Sequence, residues 1–133
     1  MKSIIFNNNL GLLIFRIGIS LLMFFGHGFT KLQKLFTGTE IQFADPIGVG
    51  VVPSFYLVVF AEALCSISIL IGFQTRIASF FLFFTMAVAT FVMLGKGEFP
   101  ELSLLYLTGY ILLMILGSGN YSIDNLLSSK NKL

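Results

Sequence analysis

The chain has 133 residues, of which 56% are hydrophobic and only 11% charged, with a formal net charge of +2. A soluble domain carries about 25% charged residues, so a soluble enzyme, a disordered tail and a repeat solenoid are excluded, and the mean hydropathy of +0.95 points to lipid as the solvent. Apolar spans of about 20 residues match the hydrocarbon core of a bilayer, and this chain has room for four of them plus loops.

The first span runs from Leu10 to Phe29 and is interrupted by Arg16 and His27. It exceeds the apolar core of roughly 7–15 residues in a signal peptide, and no A-x-A site follows it, so it reads as an uncleaved first helix. Gly11 and Gly18 lie opposite Arg16 and invite close approach by another helix. Residues 30–53 are broken by Gly38, Pro46, Gly48, Gly50 and Pro53, yet hold Phe36, Phe43, Ile47 and Val49. A connection this apolar is expected to lie on the membrane surface or on the bundle.

The second span, Ser54 to Phe73, is interrupted only by Glu62. Its Ala61-xxx-Cys65 and Ser68-xxx-Gly72 spacings suit close helix packing. Gln74 to Arg76 is a tight turn into the third span, Ile77 to Leu94, which has no charge, and Met86 and Met93 share one of its faces. Gly95 to Glu101 links to the fourth span, whose core is Leu102 to Leu116, with Gly117 to Tyr121 completing the crossing. Backbone groups in lipid must bond within their own segment, so the spans are helices. The expected fold class is all-α: a four-helix transmembrane bundle forming a single domain over residues 1–133, with spans near 9–33, 54–73, 75–95 and 101–118. Lys2, Arg76, Lys130 and Lys132 lie on the side of the termini, against Lys31, Lys34 and Lys96 on the other. The bias toward positive charge inside places both termini in the cytoplasm.

Several chemistries are absent from the pattern. Basic residues are dispersed, so nucleic acid is not a partner. His27 and Cys65 are the single histidine and cysteine, which excludes a CxxC site, a haem held by two histidines and a His/Cys metal cluster within this chain. Gly117-Ser-Gly119 lacks the strand and third glycine of a dinucleotide loop. No Ser/His/Asp arrangement is visible, and no self-contained active site.

The informative residues are the ionisable ones inside the spans. An Arg or Asp at a helix centre costs about 2.5–3.5 kcal/mol on insertion scales, so such residues face the bundle and find partners. Helical side chains lean toward their own N-terminus. Arg16 therefore leans toward the terminal side, where with Arg76 and Asp124 it should form an inner polar layer. Asp124 is expected to be the counter-ion of one of the two arginines, within salt-bridge or one-water distance of it. His27 and Glu62 lean toward each other, and Glu101 opens the fourth helix at the same level. An outer polar pocket of His27, Lys31, Glu62 and Glu101 is expected, in which a neutral Glu62 would donate a hydrogen bond to a carbonyl. Each also has a structural reading. Arg16 can snorkel, His27 can be an interfacial histidine, and Glu62 can be a bonded packing group.

Taken in order, FRIGISLLMFFGHGFTKLQKLF, AEALCSISILIGFQTRIASFFLFFTMAVAT and ELSLLYLTGYILLMILGSGNYSID resemble the DoxX family of small bacterial membrane proteins, from Leu13 to Asp124. Arg16, His27, Gly28, Lys31, Glu62, Gly72, Arg76, Met86, Glu101, Gly117, Gly119, Tyr121, Ser122 and Asp124 fall on the resemblance. Many relatives carry a basic residue at the position of Asn120 and a histidine near the end of the third helix. Here that end reads Leu94-Gly95-Lys96-Gly97, so a metal or haem site needing a second histidine does not carry over. The resemblance implies a multi-pass protein of the bacterial cytoplasmic membrane, linked to quinone or thiol redox systems. It implies partner subunits or a second copy of the chain rather than a self-contained catalyst. Two readings stand. One is a redox-associated subunit that binds a quinone-like molecule through His27, Glu62 and Glu101, a quinone being the cofactor class in view. The other is a structural or assembly subunit whose polar residues lock the bundle.

Overall fold

The structure is a computed structural model that describes residues 7–131 apart from 39, 42 and 44. Lys2 and Lys132, counted above for orientation, lie outside the described residues. Among those described the secondary structure is entirely helical.

The first span is one continuous helical rod, Asn8–Thr37. It is built from α1 (Asn8–Met23), a π-helical turn (Phe24–Gly28) and α2 (Phe29–Thr37). The side chain of Asn7 accepts from the Asn9 backbone N–H at 2.9 Å and starts the helix, and left-handed Gly38 (φ 68°) ends it. The second span, Val51–Ile71, is α3 (Val51–Val59), a second π turn (Phe60–Cys65) and α4 (Ser66–Ile71). It closes where Gly72 takes a left-handed φ of 76° and Phe73 N–H reaches back to Ser68 O at 2.8 Å. The hairpin then enters α5 (Thr75–Gly95), and α6 (Glu101–Leu116) runs back beside it. Thr90 and Ser103 share a buried 2.9 Å hydrogen bond that ties α5 to α6. The short α7 (Ile123–Asn131) follows.

Three helical spans are long and apolar enough to cross a membrane, and α6 is a shorter apolar fourth. Together they form the four-helix bundle expected from the sequence. The α7 end of the bundle holds the start of α1, the α4–α5 turn and the end of α6. The other end holds the long loop.

Apolar side chains buried between α1, the second span, α5 and α6 make the main core, centred on Met23, Ile69, Leu82, Tyr110 and Leu113. A smaller core, Phe55, Val59 and Ala63, is covered by Phe24, Leu32, Leu35, Ile41 and Phe43. The apolar loop is therefore folded partly onto the bundle, with Phe43 edge-on to Phe55 at 5.5 Å.

Two expectations change. The fourth helix stops at Leu116, within a few residues of 118, but Gly117 to Tyr121 do not extend it, because Gly117 (φ 74°) and Gly119 (φ 77°) turn the chain back under the bundle. Gly11 and Gly18 have no heavy atom within 4 Å of where a Cβ would stand, so no helix approaches there. Close approach falls at Gly72, which the Ser68-xxx-Gly72 spacing had marked, and at Gly28 and Gly109, which the spacing on one helix could not single out because it depends on the partner helix.

Candidate functional site at the facing π turns

The two π turns, Phe24–Gly28 and Phe60–Cys65, pack against each other. A π turn admits an extra residue and rotates everything beyond it around the helix, and such bulges recur at functional sites. At their contact a Cβ on Gly28 would stand 2.5 Å from the Glu62 carbonyl oxygen and 2.7 Å from its carbon. Glycine is thus the residue that lets the two backbones meet.

This contact sets Glu62, 4% exposed, under the last turns of the first rod. Lys31 Nζ donates to Glu62 Oε2 in a mostly buried ion pair. Lys31 leans back along its helix and Glu62 leans toward it from an antiparallel one, which is the geometry expected for His27. The longer lysine, one turn further on, takes the carboxylate instead. Where a small molecule or water was expected beside Glu62, the structure sets the Lys31 ammonium against Glu62 Oε2.

His27 turns to aromatic company. Its ring meets Tyr106 edge-on at 5.8 Å and 86°, and Tyr106 stacks on Tyr110 at 6.0 Å and 14°. The Tyr110 hydroxyl is buried with no hydrogen-bond partner among the described residues, as are those of Ser20 and Ser66. Glu101 is exposed in the first turn of α6 and pairs with no cation among the described residues. The helix reaches this layer through Tyr106 instead. Neither tyrosine was singled out in the sequence, because an aromatic on an apolar helix reads as core until a polar neighbour is known. Tyr106 also forms the wall of an apolar groove of about 440 Å³ between α1 and α6, lined by Phe15, Gly18, Leu22, Leu105 and Gly109.

The polar layer at the α7 end is built differently. Arg16 is 1% exposed and donates to backbone carbonyls alone. Its Nε bonds Ile69 O and its Nη2 bonds Leu70 O, each at 3.1 Å, while Nη1 bonds Ser118 O at 2.6 Å and Tyr121 O at 2.9 Å. Arg16 reaches toward this end as its lean required, but Asp124 pairs with neither arginine. Its carboxylate accepts the N–H groups of Gln74 at 2.8 Å and Thr75 at 3.3 Å and so caps α5 from a distance. The physical reason is that helix ends carry unsatisfied groups of both kinds. The last carbonyls of α4 serve the guanidinium, and the first N–H groups of α5 serve the carboxylate. Arg76 is exposed and makes one long bond, 3.4 Å, to Ile115 O. Gly72 seals the arrangement: a Cβ there would stand 2.4 Å from Ser122 Cβ and 2.9 Å from Arg16 Nη2.

In the long loop Asp45 accepts from Ser54 Oγ at 2.9 Å and from the N–H groups of Val49 at 3.0 Å and Gly50 at 2.9 Å. The Ser54 hydroxyl and these N–H groups hold its carboxyl below the usual aspartate value.

The DoxX family model matches residues 11–95. The chain belongs to the DoxX family. The matched stretch carries Arg16, His27, Lys31, Glu62 and Arg76, while Glu101, Tyr106, Tyr110 and Asp124 lie beyond it. No curated protein matches the chain significantly, nor does any solved structure. With its apolar spans, this DoxX-family chain is a multi-pass membrane protein in contact with lipid.

Proposed function

We propose that this DoxX-family protein is a membrane subunit of a redox system that holds a quinone-like molecule against Tyr106 and His27, admitted from the bilayer through the α1–α6 groove. One observation carries the reading: Tyr106 is at once a wall of that groove and the ring neighbour of His27. A quinone needs an apolar slot for its ring and tail and donors for its carbonyl oxygens. The groove is apolar, and no side-chain hydrogen bond occupies the Tyr106 hydroxyl or the His27 ring among the described residues, so the residues fit the group. When bound, a quinone would carry electrons and protons together. The chain's own part is to orient the ring between Phe15, Leu105 and Tyr106, to offer O–H and N–H donors, and to keep the Lys31–Glu62 pair behind them as an exchanger of protons.

The second reading is a structural or assembly subunit. The closed Lys31–Glu62 pair and the Gly28 contact favour it, since both lock the bundle without any ligand.

The test is to purify the protein in mild detergent and measure co-purified ubiquinone and menaquinone per protein by mass spectrometry, relative to phospholipid. Enrichment over the bulk membrane is expected, and Tyr106→Ala should abolish it with helicity intact. Glu62→Gln should retain less quinone. No enrichment in the wild type, or retention unchanged in both variants, would overturn the proposal. A stoichiometric complex with other membrane subunits and no quinone would establish the structural reading.

A further inference from the structure

Where α5 begins and α6 ends, a polar crevice of about 420 Å³ opens, lined by Thr75, Arg76, Gly117, Gly119, Asn120 and Asp124. It is separate from the Tyr106 groove and lies at the other end of the bundle. Its charge balance is unusual. Asp124 accepts the N–H groups of Gln74 and Thr75 and makes no direct ion pair with Arg76. The Arg76 guanidinium lies against Gly117, with Nε 3.2 Å from where a Cβ would stand. It has no ion-pair partner among the described residues and only its long bond to Ile115 O. Thr75, 1% exposed, lines the same crevice, and its hydroxyl has no hydrogen-bond partner among the described residues. An exposed guanidinium that makes no direct ion pair among the described residues calls for an acceptor-rich anion.

Depth identifies the source. The 16 residues of α6 rise about 24 Å, short of a hydrocarbon core of about 30 Å, so polar headgroups can sink toward the end of this helix. Next to the crevice, Ile123, Leu126 and Leu127 of α7 are exposed at a spacing that puts them on one face. Tyr121 is exposed beside them. An amphipathic helix of this kind lies in the membrane interface, which brings lipid headgroups to the crevice mouth.

We infer that this crevice binds the phosphodiester of a glycerophospholipid, with Arg76 as the charged donor and the α5 start and Gly117–Asn120 turn as its walls. With Asp124 opposite, the crevice suits one phosphate rather than several negative charges. The bound lipid would pin α7 and the α6 end to the bundle.

Delipidated protein in detergent is titrated with phosphatidylethanolamine, with diacylglycerol of the same chains and with inorganic phosphate, and adducts are counted by native mass spectrometry. The phospholipid is expected to bind tightly and diacylglycerol weakly. Arg76→Gln should weaken phospholipid binding about tenfold, the loss of a charge-assisted hydrogen bond, and Arg76→Lys should weaken it less. Asn120→Asp, at an exposed position, adds a negative charge to the crevice and should weaken it too, so the test survives if Arg76→Gln fails to fold. Equal binding of diacylglycerol would overturn the inference, as would phospholipid binding unchanged in Arg76→Gln or Asn120→Asp. Inorganic phosphate binding that the phospholipid does not displace would assign the crevice to a soluble anion and overturn the lipid source.

Discussion

The two polar layers of this bundle each bury a positive charge, and they do so by opposite means. At the α7 end Arg16 is surrounded by backbone carbonyls from the α4 end and the 118–121 turn, and the nearby carboxylate is spent on capping α5. The Arg16 donors hold elements far apart in sequence. Around the facing π turns Lys31 meets a titratable carboxylate, the neighbouring rings of His27 and Tyr106 are free to bond, and the Tyr110 hydroxyl has no partner. A charge met by main-chain dipoles is a fastener. A charge met by another ionisable side chain beside unsatisfied groups can respond to a ligand.

This contrast can be broken experimentally. The largest effect is expected from Arg16→Met, which leaves several carbonyls without a donor. It should destabilise the bundle by roughly 3–5 kcal/mol, read as helicity lost on denaturing-detergent titration. Arg16→Lys, which cannot reach as many carbonyls, should lie between it and the wild type. A loss under about 1 kcal/mol for Arg16→Met would place the layer in water and end the comparison.

Next comes Lys31→Met, which strands a buried carboxylate and should cost about 2–4 kcal/mol. The double variant Lys31→Met/Glu62→Leu should recover most of that loss, because no unpaired charge remains. Failure to recover would mean that the pair does more than neutralise itself. Gly28→Ala pushes a Cβ into the Glu62 carbonyl and should cost about 1–3 kcal/mol. A crystal structure of that variant should show the π turns separated, and an unmoved contact would refute the account.

Smaller still is the effect of acid on the long loop. The Asp45 carboxyl is held below its ordinary value of 3.8, so the loop gains stability from the ionised form above that value. The gain is lost as pH falls through the lower folded value. Amide exchange at Val49 and Gly50, corrected for intrinsic rate, should speed up there, and Asp45→Asn should remove the pH dependence. The smallest change is expected for Tyr110→Phe. The hydroxyl has no partner, so its removal should leave stability unchanged or raise it by up to about 1 kcal/mol. A clear loss would reveal a bond that the hydroxyl makes in the membrane.

Much of the architecture was legible because lipid leaves the chain few options. Apolar runs long enough to span must be helices, and Gly38 stood out as a breaker of the long connection, whereas Gly72 and Gly117 showed themselves as helix ends only through their positive φ. The lean of side chains along antiparallel helices led to a polar layer containing Glu62 and to Arg16 reaching the opposite end. The partners were less legible. Lys31 was placed in the outer pocket but not named as the partner of Glu62, Glu101 looked like a pocket residue, and Asp124 looked like a counter-ion, because formal charges attract attention where backbone dipoles do not.

By itself the sequence determined that this protein lives in a membrane, that it crosses as a helical bundle, that its family is DoxX, and which few charges must be satisfied inside. Only the tertiary structure decided how. The π turns that bring Gly28 onto Glu62 leave no periodic mark, since one extra residue in a turn changes nothing in composition. The carbonyls that hold Arg16 belong to every residue type alike. Which tyrosine meets His27, and which glycine admits a neighbouring backbone, depends on the azimuth of a second helix, and that is set by packing between segments rather than within either one.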